Sequence, residues 1–254
     1  MQRSLRPLPL LLTLVCGLAL CQAGPAWAGA FTVNPTRLIF SPNTRSTLLR
    51  LHNQSPEALR FQLSVFAWGQ SPDGEIQLTP TEDLVVFPTL LTLAPDDTRN
   101  IRVGPATPFA AVEKTFRIFV EELPPLPPKA EPPGIQVLTR MGIPVFLQPA
   151  AVMQNGHLER MTVRHGQLSF QVKNTGNVHF VEQAIRLTAF GAAEQHLFEH
   201  QLAGWYVLAG GIRTHGLDLP REACAKIRAL AVEVQTEWGT LQERFDVPSG
   251  SCGH

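Results

Sequence analysis

The sequence predicts an all-β chain built from two immunoglobulin-like β-sandwich domains. Short apolar runs with period-two alternation recur along its length. Between them fall 22 prolines and 19 glycines, and there is little sustained helical periodicity. About seven strands with turns between them, over roughly 110 residues, mark an immunoglobulin-like sandwich. The chain is long enough to repeat that unit once.

The first 28 residues read as an export signal. Arg3 and Arg6 give a basic start, Leu8 to Leu20 is an apolar run too short to span a membrane, and Ala26-Trp27-Ala28 supplies a small-x-small cleavage site. Cleavage is expected after Ala28, which gives a signal peptide at 1–28. A lipoprotein signal at Cys21 is the weaker alternative, because a leucine directly precedes that cysteine.

The first domain is expected over 29–149. Its strands are predicted at Phe31 to Phe40, Ser46 to His52, Arg60 to Trp68, Leu84 to Phe87, Thr98 to Val103 and Thr115 to Glu121. Turns are expected at Ser41-Pro42-Asn43, Asn53-Gln54-Ser55-Pro56, Ser71-Pro72-Asp73-Gly74 and Ala94-Pro95-Asp96-Asp97. After the proline-rich loop PPLPPKAEPPG comes the strand 135–147. Its odd positions are Ile135, Val137, Thr139, Met141, Ile143, Val145 and Leu147. Pro144 cannot donate to a ladder, which predicts an edge strand, and a long apolar edge suits pairing with a partner's strand.

The second domain is expected over 150–254. Its strands are predicted at Gln167 to Lys173, His179 to Phe190, Glu199 to Leu202, Gly211 to Leu217, Leu230 to Gln235 and Thr240 to Asp246. Asn174-Thr175-Gly176-Asn177 reads as a turn, and Leu219 to Lys226 as a short helix or a loop. With no long linker between them, the domains should hold a defined relative orientation.

Lysine plus arginine and aspartate plus glutamate both number 21, so no nucleic-acid surface is indicated. Export makes disulfides persistent. Cys16 and Cys21 leave with the signal, and Cys224 and Cys252 are expected to pair.

Catalytic patterns are weak, and an enzyme is not expected. The eight histidines are scattered; His196 and His200 have i,i+4 spacing but lie in a strand-and-turn segment. No nucleophile elbow, phosphate loop or dinucleotide fingerprint occurs. Glu121-Glu122 and Asp96-Asp97 are adjacent in sequence and read as solvated surface rather than acid/base dyads. Trp68 and Trp205 are expected in the sandwich cores. No cofactor, metal or small-molecule substrate is implied. Two arginines within apolar strands, Arg37 and Arg140, stand out. A fixed guanidinium beside an exposed apolar edge can capture a chain-terminal carboxylate bidentately.

These residues resemble the periplasmic pilus chaperones of the bacterial chaperone–usher pathway over nearly the whole mature chain. The matching blocks are Pro35 to Phe40, Asp83 to Val103 with Phe87-Pro88 and Leu93-Ala94-Pro95, Phe116 to Pro125, and Val172 to Asn177. The resemblance implies two domains in an L or boomerang. It also implies a donor strand whose Ile135, Val137, Thr139, Met141 and Ile143 fill pockets in a pilin subunit, with Arg37 anchoring that subunit's terminal carboxylate. The family's second anchor, a lysine, falls at Pro144 here, and Arg140, four residues earlier on the same face, is the candidate replacement. An interdomain acid–arginine–acid network would use Glu113 and Glu237, but the arginine's place holds Gln148.

The implied function is non-enzymatic: a periplasmic chaperone that passes pilin subunits to an outer-membrane usher and can cap its own edge by self-association. The alternative is a structural pilus subunit or adhesin; against it, residues 29–36 are too short and too proline-interrupted for a donor extension. A secreted hydrolase or carbohydrate-binding module would want clustered acids or exposed aromatics.

Overall fold

The computed structural model describes residues 31–126 and 137–252. The expected signal peptide, Ile135 and His254 lie outside them. The described residues form two β-sandwiches, each around its own apolar core.

In the first sandwich, one sheet has the order β1 (Phe31–Asn34), β3 (Thr47–Asn53), β8 (Thr98–Pro105), β6 (Leu84–Phe87). The facing sheet runs β2 (Leu38–Phe40), β10 (Arg140–Leu147), β9 (Lys114–Leu123), β4 (Leu59–Gln70), β5 (Ile76–Pro80), with β7 (Leu90–Leu93) also paired to β4. Alternation along each strand sends Phe40, Leu51, Phe61, Ile101, Ile118 and Val145 into the space between the sheets.

The expected strand Phe31 to Phe40 is two strands in opposite sheets. Pro35 lacks the N–H that a continuous ladder needs, and the chain crosses from one sheet to the other there. The expected strand 135–147 becomes a regular strand only at Arg140. Its second half is not an edge, because Val145, Phe146 and Leu147 pair in parallel with Leu38, Ile39 and Phe40. β5 escaped the pattern search because every residue of Ile76–Pro80 is exposed; it extends β4 as a hairpin.

The second sandwich has one sheet β11 (Gly156–Arg164), β12 (Gln167–Asn174), β17 (Ile212–Asp218). The other is β15 (His196–Leu202), β14 (Ala184–Phe190), β18 (Ala229–Gln235), β19 (Thr240–Asp246). A short ribbon pairs β13 (Phe180–Val181) with β16 (Tyr206–Val207). The expected strand His179 to Phe190 therefore divides into β13 and β14. β11 was hidden by a bulge between Glu159 and Thr162, where Arg160 takes a left-handed φ of 53° and breaks the alternation.

The segment left open as helix or loop holds a one-turn helix, α1 (Arg221–Cys224). Cys224 is bonded to Cys252, with Cα atoms 5.8 Å apart, so the expected pairing is present.

Candidate functional site

β10 and the residues leading into it show two faces. On the odd face, Ile143, Val145 and Leu147 are buried in the first core, and Met141 packs against it half-buried. Further out, Thr139 is half-buried and Val137 is 63% exposed, as is Leu138 at 40%. Ile143 is therefore committed to the chain's own core. The accessible part of the expected donor set is Val137, Thr139 and Met141, while Ile135 lies outside the described residues. Pro144 stands where pairing with β2 stops, so from Ile143 outward β10 has a neighbour on one side only, β9. Buried Glu122 ties the start of this edge. Its N–H donates to the Thr139 carbonyl at 2.9 Å, and its carboxylate accepts from the Thr139 N–H at 3.2 Å. Burial pushes the Glu122 carboxyl above its ordinary pKa, with the Thr139 N–H pulling the other way.

The register separates the two expected anchors. Leu38 pairs with Val145, so Arg37 lies level with Pro144. Arg140 is four residues further along β10, roughly 13 Å away at the usual strand rise. It is also occupied: its Nε is 3.6 Å from a Glu121 carboxylate oxygen, and its guanidinium carbon is 4.0 Å from the Phe119 ring centre. Arg37 instead faces the second domain, 3.9 Å from Glu237, with 44% of its side chain exposed.

The even face of β10 turns away from the first core and towards the second domain. Phe146 and Trp68 are buried there with Leu208, and half-buried Tyr206 packs against them, forming a small apolar cluster between the domains. Trp68 thus packs between domains rather than inside a sandwich, and Trp205 is 41% exposed rather than in a core. Arg117, opposite Pro144 on β9, lies with its guanidinium carbon 4.3 Å from the Trp68 ring centre and 5.9 Å from that of Trp205. Burial draws the Arg117 pKa below its ordinary value, with Tyr206 acting against that. Sequence reading passed over Arg117, since a lone arginine on the outer side of an alternating strand looks like surface.

Hydrogen bonds join the domains around this cluster. The buried Glu113 carboxylate accepts from the His179 backbone N–H at 3.0 Å and meets His179 Nδ1 at 2.8 Å; the imidazole stacks on Phe146 with ring centres 3.6 Å apart. The Asn177 amide donates across to the Ala111 carbonyl at 3.0 Å and, within its own domain, to that of Ala151 at 2.8 Å, and the Gln70 amide donates to the Tyr206 carbonyl at 2.8 Å. The two expected network acids are both here with other partners: Glu113 with His179, and Glu237 with Arg37 and the Val181 N–H at 2.9 Å. Gln148 instead donates its backbone N–H to Phe40. His196 and His200 sit on strand β15. Among the described residues no three histidine, cysteine or acidic side chains gather to hold a metal.

Residues 30–153 match the family described as pili and flagellar-assembly chaperone, PapD N-terminal domain. A curated relative, the uncharacterized fimbrial chaperone YbgP of Escherichia coli (strain K12), is 29% identical over 147 residues. That stretch is 56% of this chain and 56% of the relative, so the match spans little more than half of either. One similar solved structure is the CsuC–CsuE chaperone–tip adhesion subunit pre-assembly complex of the archaic chaperone–usher Csu pili of Acinetobacter baumannii. It has a TM-score of 0.58 at 17% identity, covering 86% of this chain and 98% of that one. The E. coli chaperone DraB gives 0.54 at 16% identity, covering 87% and 98%. At these identities the likeness shows the shared two-domain fold.

Proposed function

We propose that this chain, whose residues 30–153 match the family of pili and flagellar-assembly chaperones, is a periplasmic, non-enzymatic chaperone for fimbrial subunits. In this reading it binds pilin subunits by lending them a strand and delivers them to an outer-membrane usher. Residues 1–28 are the export signal, 29–149 the subunit-binding domain and 150–254 the second domain.

The observation that carries the proposal is the one-sided edge from Arg140 to Ile143, with Val137 to Thr139 leading into it, which runs towards Arg37 in the interdomain cleft. An incoming strand pairs with the free side of that edge, so backbone hydrogen bonds supply affinity and alternate side chains supply specificity. Val137, Thr139 and Met141, with Ile135 before them, face the subunit, while Ile143 keeps the lent strand seated in its own core. Arg37 receives the subunit's terminal carboxylate and sets the register. A second copy of the chain at the same edge is the resting alternative to a subunit.

The test is capture of a co-expressed fimbrial subunit. Arg37→Ala should lower recovered subunit more than tenfold while leaving the fold intact, because the exposed Arg37–Glu237 pair contributes only about 0–1 kcal/mol. Undiminished capture would refute the anchor. Recovery of this chain in sheared surface fibres instead of the periplasm would favour the structural-subunit reading.

A further inference from the structure

A large aromatic of the second domain stands partly in the open beside the first. Trp205 is 41% exposed and lies in the connection from β15 to β16. Its ring faces the first domain: the Arg117 guanidinium carbon on β9 is 5.9 Å from its centre, and Tyr206 of the interdomain cluster meets it edge-on at 5.5 Å. At 5.9 Å the cation is at the outer limit of a useful ring contact, whereas Trp68 holds the same cation at 4.3 Å. Arg117 therefore belongs mainly to Trp68, and part of the Trp205 indole is left uncovered.

The backbone that carries this indole is tied down on both sides. The Glu182 N–H donates to the Trp205 carbonyl at 2.9 Å, and the Trp205 N–H donates to the Glu182 carboxylate at 3.2 Å. A Cβ on Gly204 would collide with the Glu182 carbonyl, so the chain passes this closely only with glycine there. The Glu182 carboxylate is itself buried; it accepts from Arg213 at 2.7 Å and meets His215 Nε2 at 2.9 Å. A buried pair of this kind adds little net stability beyond what apolar packing would give. What it does supply is one fixed position for the backbone of Trp205.

That position is beside the free edge of β10. A Cβ on Gly142 would lie 3.5 Å from an Arg117 nitrogen, so the Arg117 side chain reaches from Trp205 to the one-sided stretch of the strand. A strand added there would run about 4.8 Å beyond β10, with side chains alternating between its two faces. Those on the same face as Gly142 point into the cleft, towards Trp205.

We propose that Trp205 is a contact of the second domain with the bound subunit, packing on an apolar side chain of the subunit strand next to Gly142, and that Glu182 is its positioning residue. The proposal rests on the strand-lending function above. An indole already held in place contributes a large contact area with little ordering cost, which is how tryptophans come to dominate binding.

The test uses the chain from residue 29 onward with a co-expressed fimbrial subunit. Trp205→Ala should lower recovered subunit about tenfold with the thermal midpoint unchanged, and Trp205→Phe less than threefold. Capture by Trp205→Ala equal to wild type overturns the contact and leaves the chaperone function standing; no capture by wild type overturns both. Acrylamide quenching shows whether the contact is direct, because the difference between wild-type and Trp205→Phe emission isolates this indole. Its quenching should fall at least threefold in the complex. Unchanged quenching alongside lost capture would mean that the residue acts through the fold, and overturns the contact.

Glu182→Gln tests the positioning. It should alter Trp205 quenching in the free chain and lower capture at least threefold, yet less than twofold in the Trp205→Ala background, since it acts through that indole. Gly204→Ala, which displaces the same backbone without touching the buried charge, should give the same pattern. Equal losses in both backgrounds would make Glu182 merely structural and overturn its positioning role.

Discussion

Replacing both Cys224 and Cys252 by alanine should loosen the second domain and, through it, the cleft. The bridge spans 28 residues of chain. Loop-closure entropy for a ring of that size is about 12 cal/mol/K, or about 3.6 kcal/mol at room temperature. Within that ring lie β18, β19 and the turn carrying Glu237, the acid that faces Arg37 and holds the Val181 N–H. The assay is native-state hydrogen exchange in urea, read separately for β18 of the second core and β3 of the first. With a slope near 2 kcal/mol/M, the midpoint for β18 should fall by about 2 M. The β3 amides should change far less, since no covalent link in the first core is altered. A loss below about 1 kcal/mol for β18 would refute the entropic argument, and an equal loss in β3 would show that the domains unfold as one unit.

The donor-side assignment makes a paired prediction. Ile143→Ala should cost the first domain about 2–5 kcal/mol, because that side chain is 1% exposed in the core. Val137→Ala, at an exposed position, should change stability by less than about 0.5 kcal/mol yet weaken subunit capture; matching thermal losses in the two variants would contradict the division of the strand. Glu122→Gln tests the buried carboxyl at the edge. Its folded pKa lies above the unfolded value, so the native state binds the extra proton between the two. Stability from this group accordingly falls as pH rises through that interval and stays reduced above it. The glutamine variant should be more stable than wild type at neutral pH with a flatter acid limb in thermal melts, and an unchanged limb would place the dependence elsewhere.

Much of the fold was legible because its signals are local. Alternation located most of the core strands, and β6 and β19 fall at the limits that the pattern predicts. Where one face is not buried, as in β5, or where a bulge shifts the phase, as at Arg160, the pattern loses its contrast and the strand escapes notice. Pro144 was visible as a ladder breaker and Pro35 was read through as part of one strand, and only pairing shows what each one breaks. Pro35 carries the chain between sheets, and Pro144 marks where one side of β10 becomes free.

The candidate site divides along the same line. The apolar edge, the arginine at 37, the cysteine pair and the two-sandwich architecture are written in residue types and spacing, which is why they could be read in one dimension. Which cation stands beside Arg37 is a matter of register across three strands that are distant in sequence. Arg140 shares a strand and a face with Pro144 and so looked suitable, but four residues of extended chain carry it away from the cleft. Arg117 comes from another strand altogether and reaches Pro144 only when β9 and β10 pair. Likewise Ile143 looks like Val137 in the alternating pattern, and only packing decides that one belongs to the core and the other to the surface. Local chemistry specifies the elements; inter-strand register and burial, set by the whole chain at once, decide which side chains meet.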